Sequence, residues 1–226
     1  MDHFTDSTLI DSWYRNAEAW GAAVRGARIP SRIRVTDRAI VDAVLSCRPR
    51  TVLDAGCGEG WLCRALAARG IRTTGIDAVP GLIEQARQGG GEFHCLSYED
   101  LAAGRLAGRF GTLVGNFSLL GDESVQALFR AAPDRLEPNG SLVVQTLHPV
   151  VACGDRPYRD GWRKGSWDGC GGGFADPPPW YFRTLGGWSG LFADAGFALV
   201  EILEPLDPDT GKPASIIFVA RPVAAR

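Results

Sequence analysis

Apolar and polar residues recur along the chain with two periods, and each change of period marks a new element. Leu9, Trp13, Ala17, Trp20 and Val24 stand at helical intervals between residues 7 and 25. Ile33, Ile40, Val41 and Val44 do the same between 31 and 45, with Pro30 at the break, so two helices precede the first strand. Short apolar runs then read as strands at 51–54, 71–76, 93–96, 110–114 and 141–147, and apolar residues at helical spacing resume at 61–69 and 125–132. Intervals of that length suit parallel strands joined by crossovers. Residues 185–195 form a further helix ending at Gly196. Strands at 198–203 and 215–220, joined by an acidic, Pro-rich turn, pair antiparallel. The whole pattern predicts a doubly wound α/β sheet.

The first strand runs into Asp54-Ala55-Gly56-Cys57-Gly58-Glu59-Gly60, and Trp61 opens the following helix. Glycines at alternate positions permit positive φ and leave bare N–H groups against which a flat polar ligand can lie; an ordinary ligand-free turn is the alternative. A dinucleotide fingerprint needs G-x-G-x-x-G, and counting from Gly56 places Trp61 where the third glycine belongs. The second strand ends in Asp77, 21 residues after Gly56, where a carboxylate can accept both hydroxyls of a ribose or can simply cap the next helix.

Asp54-x-Gly56-x-Gly58-x-Gly60 resembles motif I of class I S-adenosylmethionine (SAM) dependent methyltransferases. Gly115-Asn116-Phe117-Ser118-Leu119-Leu120 resembles their motif IV, and Leu136-Glu137-Pro138-Asn139-Gly140 resembles their L-x-P-G-G passage with Asn139 in one glycine place. The resemblance covers roughly residues 45 to 221. It implies a Rossmann-like, seven-stranded, mostly parallel sheet whose last strand is antiparallel, with an N-terminal helical cap over the cofactor; Trp13, Tyr14 and Arg32 are the candidates to reach it, and plain packing against the core is the alternative for each. It implies SAM as cofactor and S-adenosylhomocysteine (SAH) as product, held by Asp54, Gly56, Cys57, Gly58, Trp61, Asp77, Ala78, Ser97, Tyr98, Glu99, Asn116 and Phe117. Where the family often has an aspartate after the third strand, this chain has Ser97, which is alternatively a helix cap; Phe117 either flanks the transferring methyl or is plain core.

Composition narrows the class. A chain of 226 residues suits one domain with a full core, here read as residues 1–47 for the N-terminal helices, the sheet, and an insertion at 148–183. Formal net charge is −2 and the 24 basic residues are dispersed, which argues against a nucleic-acid partner. Six cysteines form no C-x-x-C pair, and no leader-like or membrane-length apolar run is visible, so a cytoplasmic protein with reduced thiols and no membrane partner is expected. Three histidines without paired carboxylates offer no metal ligand set, and nothing speaks to oligomeric state.

His148 to Arg183 holds seven glycines, five prolines and seven aromatic residues without a sustained period. Lying after a strand end, it is expected to close over the cofactor as a lid, or to pack on itself as a compact Ω-loop. His148 is the candidate catalytic base, or bonds within its own loop; Tyr158, Trp162, Trp180, Tyr181 and Arg183 are candidate contacts to a small-molecule substrate. The expected activity is methyl transfer to such a molecule, with a non-catalytic SAM or SAH binder as the rival and a nicotinamide-dependent oxidoreductase as the reading that the spacing disfavours.

Overall fold

The computed structural model describes residues 4–223. Its strands are β1 (Thr51–Ala55), β2 (Arg72–Asp77), β3 (Glu92–Cys95), β4 (Phe110–Asn116), β5 (Leu136–Thr146), β6 (Gly161–Arg163), β7 (Trp180–Phe182), β8 (Phe197–Leu203) and β9 (Ile216–Pro222). Seven of them form one sheet in the order β3-β2-β1-β4-β5-β9-β8, while β6 and β7 make a separate antiparallel hairpin. Strands β1 to β5 are mutually parallel, and β9, the last strand, is antiparallel to both β5 and β8. The chain winds outward from β1 through β2 to β3 and then returns to place β4 on the other side of β1. The order therefore reverses between β1 and β4, where crossovers diverge and leave a crevice at the carboxyl ends of the strands.

Both faces of this sheet are covered, which is why its central strands are continuous apolar runs rather than alternating ones. The helices are α1 (Asp6–Arg25), α2 (Asp37–Ser46), α3 (Trp61–Ala67), α4 (Pro80–Gln88), α5 (Tyr98–Ala102), α6 (Glu123–Arg135), α7 (Pro149–Cys153) and α8 (Leu185–Asp194). On one face Val52, Val114, Val143 and Val219 pack with Ile40 and Val44 of α2 and Leu62 and Leu66 of α3. On the other, Leu53, Leu113, Val144 and Phe218 meet Leu128 and Phe129 of α6 and Trp188 and Phe192 of α8.

Three local features depart from the sequence pattern. The second N-terminal helix opens as a π-helical turn, Arg32–Thr36, before continuing as α2. Residues 136–140 belong to β5 instead of forming a free turn: Leu136 pairs with Phe110, the register then slips, and Asn139 takes a left-handed φ of 65° that asparagine tolerates better than most residues. At its other end β5 stops at Thr146, and Leu147 is exposed. The segment 148–183 is also not without elements, since it carries α7 and the β6–β7 hairpin. Strands of three residues are too short for a period of two to register.

Candidate active site

The crevice is built outward from the turn between β1 and α3. Gly56, Gly58 and Gly60 all adopt positive φ (76°, 56° and 83°), a region that side-chain-bearing residues rarely enter. The N–H groups of Gly56 and Cys57 donate to the Ile76 carbonyl (2.8 and 2.9 Å) and tie the turn to β2. The three glycines differ in what surrounds them. A Cβ on Gly56 would overlap Ser118, and one on Gly60 would come within 2.7 Å of the Phe93 ring, so both are required by close packing. On Gly58 the same atom would meet only the Trp20 Nε1, at 3.6 Å. Gly58 thus presents its bare backbone to the crevice, beneath the indole of Trp20.

Asp77, at the tip of β2, accepts the Gly58 N–H on one carboxylate oxygen and the Val79 N–H on the other, both at 2.9 Å. Burial raises its pKa, against the lowering effect of those two bonds. Asp54 lies beneath the turn, 2% exposed, with the Cys63 thiol donating to it at 3.6 Å. Its pKa is pushed up to about 7 by burial first, and further by the charges of Asp77 and Glu59. Glu59 is buried too, paired with Arg64, and its Oε1 has no partner among the described residues. Three carboxylates therefore crowd one glycine turn, with the side chain of Arg64 engaged by Glu59.

Other predicted residues converge on the same place. The Ala78 carbonyl accepts from Tyr14 Oη at 3.2 Å, which binds α1 to the rim. Tyr98 Oη reaches the carbonyls of Ser118 (3.2 Å) and Ala55 (3.4 Å), and burial raises its pKa. Ser118 Oγ donates to Ala55 O at 2.6 Å, closing the end of β4 onto β1. Phe117, half-buried, has a positive φ of 52°, with its N–H on the Gln145 carbonyl at 2.8 Å. Such a backbone is uncommon for a bulky residue and costs of order 1–3 kcal/mol, a cost that clusters at functional sites. Asn116 accepts from Gln145 Nε2 at 2.7 Å, and Trp61 lies under the Arg32 guanidinium, 4.6 Å from its ring centroid.

Ser97 caps α5: its Oγ accepts the Asp100 N–H while Asp100 accepts the Ser97 N–H. Glu99 is exposed on the same helix. His148 is buried, with Nε2 2.7 Å from Glu204 Oε1 beyond the end of β8 and with Nδ1 lacking a partner among the described residues. The hairpin brings Trp162 and Tyr181 edge to face at 5.6 Å, and the Tyr181 N–H donates to Leu120 O at 2.7 Å, so this pair is anchored to the loop after β4. Burial is the main cause that raises the Tyr181 pKa. Trp180 packs on Phe182, the Tyr158 hydroxyl accepts the Leu185 N–H, and Arg183 is buried with donors on Gly121 O and Asp122. Burial lowers the Arg183 pKa, with Asp122 opposing. Sequence reasoning passed over Ser118 and Gln145, whose neighbours come from distant segments, and Glu59, whose partner Arg64 lies only five residues on.

Comparison with known proteins places this geometry. Among curated relatives, the ubiquinone biosynthesis O-methyltransferase of Xanthomonas campestris pv. campestris is 36% identical over 107 residues, 45% of this chain and 44% of that protein. The chain thus matches less than half the length of that relative. In the DhpI–SAH complex the fold is shared over 97% of this chain and 99% of the other, at 16% identity and a TM-score of 0.66. Magnesium protoporphyrin IX methyltransferase from Synechocystis PCC 6803 with bound SAH aligns over 82% of this chain and 81% of its own, at 18% identity and a TM-score of 0.57. No helix among the described residues is long and apolar enough to cross a membrane. The model of the methyltransferase domain matches residues 31–202, which takes in the glycine turn and every strand from β1 to β7; the chain belongs to the methyltransferase domain family.

Proposed function

We propose that the protein is a SAM-dependent methyltransferase acting on a small molecule, by in-line displacement, in the cytoplasm. The observation that carries this reading is the charge around the turn. Asp54 and Asp77 both sit against Gly56–Gly60, and each has its pKa raised by burial. A pyrophosphate at that turn would add negative charge to negative charge, whereas a ligand with a sulfonium and an ammonium group relieves the repulsion. A side chain at Gly58 would meet only Trp20, so the turn leaves room there for the ligand to lie.

In this reading Asp77 holds the ribose hydroxyls with the lone pairs that Gly58 and Val79 leave over, Ala78 and Tyr98 border the adenine, and Asn116 and Phe117 flank the reacting methyl. Bound SAM supplies an activated methyl group, so the chain itself has to align the acceptor, exclude water and remove a proton. The segment 148–183 serves as the lid, with Trp162, Trp180 and Tyr181 as walls of the acceptor site and Tyr158 and Arg183 bracing it. His148 acts as base only through Nδ1, because Nε2 is bonded to Glu204. Incubating the protein with methyl-labelled SAM and panels of phenols, amines and carboxylic acids is expected to transfer label to at least one class. SAM binding with no transfer to any of them would favour a sensor that binds the cofactor without turnover.

A further inference from the structure

The surface of α1 that faces the crevice is bonded to a stretch of chain some 160 residues away. Asn16 and Ser12, one turn apart and each 1% exposed, point at the backbone of residues 175 and 176. Asn16 Oδ1 accepts the Ala175 N–H at 2.8 Å, its Nδ2 donates to Ser12 O at 2.8 Å and, at 3.5 Å, to Asp176 O, and Ser12 Oγ donates to Asp176 O at 2.8 Å. From the other side, Trp167 Nε1 donates to the Ala175 carbonyl at 2.7 Å. Two buried polar side chains on a helix interior are costly unless bonded, and here most of their bonding is directed at one short segment.

Aromatic packing continues the contact down to the glycine turn. Trp167 stacks on Phe174 with centroids 4.3 Å apart and meets Trp13 edge-on at 5.5 Å; Trp13 meets Trp20 edge-on at 5.2 Å. Trp20 is the side chain over Gly58. Helix α1 is itself fixed at both ends: Asp6 accepts the N–H groups of Asp122 and Glu123, and Ala17 O and Arg25 are bonded to Gln85 of α4. The segment that it holds is flanked by Gly169, Gly171 and Gly173 at positive φ and by three prolines. If one side of this contact moves, it is the loop.

We infer that Asn16, with Ser12, is a positioning residue that fastens residues 174–176 to α1 and so keeps the Trp167–Trp13–Trp20 stack closed above Gly58. Breaking this catch frees the loop and speeds release of whatever lies on the turn. The second half rests on the proposed cofactor, and the first does not. The test therefore begins with full-length protein free of ligand. Asn16→Ala is expected to speed hydrogen exchange of the Ala175 amide at least tenfold and to raise acrylamide quenching of tryptophan, with exchange in β1 unchanged. Trp167→Phe, which keeps a six-membered ring in the stack but removes the indole N–H bond to Ala175 together with part of the ring, is read by hydrogen exchange alone, gives a smaller change there in the same sense and guards against an Asn16 variant that does not fold. Unchanged exchange at residues 174–176 in both variants would overturn the catch. In stopped flow, SAH dissociation from Asn16→Ala is expected to be at least tenfold faster than from wild type. A freed loop with an unaltered SAH dissociation rate would overturn the link to the turn. Loop release in the variants, with wild-type protein that binds no SAH at all, would sustain the catch and remove the cofactor reading instead.

Discussion

Asp77→Ala is expected to bind SAM at least tenfold more weakly than wild type, with a smaller loss of stability. Two hydrogen bonds from the ribose to a charged acceptor are worth roughly 1.5–3 kcal/mol each, and about 1.4 kcal/mol is a factor of ten in affinity. The same carboxylate also holds the Gly58 and Val79 N–H groups, so the variant loses part of the turn's geometry along with the ligand contact. Stability moves less, because the cost of two unpaired amides is offset by removal of a carboxylate whose pKa burial has raised. Asp77→Asn, which keeps one acceptor, should fall between. Titration calorimetry against a thermal melt separates the two effects. An affinity equal to wild type would leave Asp77 as the fastening of the turn and nothing more.

Asp54→Asn is expected to flatten the pH dependence of stability. The Asp54 pKa rises from 3.8 to about 7 in the folded protein, chiefly by burial. The folded state thus binds the proton more tightly than the unfolded one. The stability this contributes is fully present below about pH 4 and is lost as the pH climbs through 7. At about 1.4 kcal/mol for each tenfold change in proton affinity, the whole move is on the order of 4 kcal/mol. Asparagine carries no charge to bury, so the variant should lose much less stability between pH 5 and 8. For a chain of this length each kcal/mol is about 2–4 °C in melting temperature, which makes the difference measurable. Parallel melting curves against pH for the variant and wild type would show that other groups, Asp77 foremost, carry the dependence.

Much of the fold was readable because central parallel strands and their helices carry long, regular signals. Val52-Leu53 and Leu142-Val143-Val144 are buried on both faces and announce themselves as apolar runs, and β9 follows β8 with no helix between them and pairs antiparallel to it. The glycine turn was readable for a different reason: a backbone that must take positive φ three times in five residues restricts the residue type directly. What escaped lies in contacts between distant segments. Ser118 over Gly56, Gln145 on Asn116, and Asn16 on Ala175 each join side chains to partners 29 to 159 residues away, and no local period encodes them. His148 shows the limit most sharply. Its place after a strand was legible, whereas its partner Glu204 comes from the loop that follows β8, the strand at the far edge of the sheet.

The most direct test is calorimetric titration of the protein with SAM, SAH and NADH at pH 6 and pH 8. The cluster of carboxylates predicts saturable heats for SAM and SAH and none for NADH, with SAM binding tighter at pH 8, where Asp54 no longer has to release a proton to meet a cation. Tight binding of NADH with no heat from SAM would contradict it.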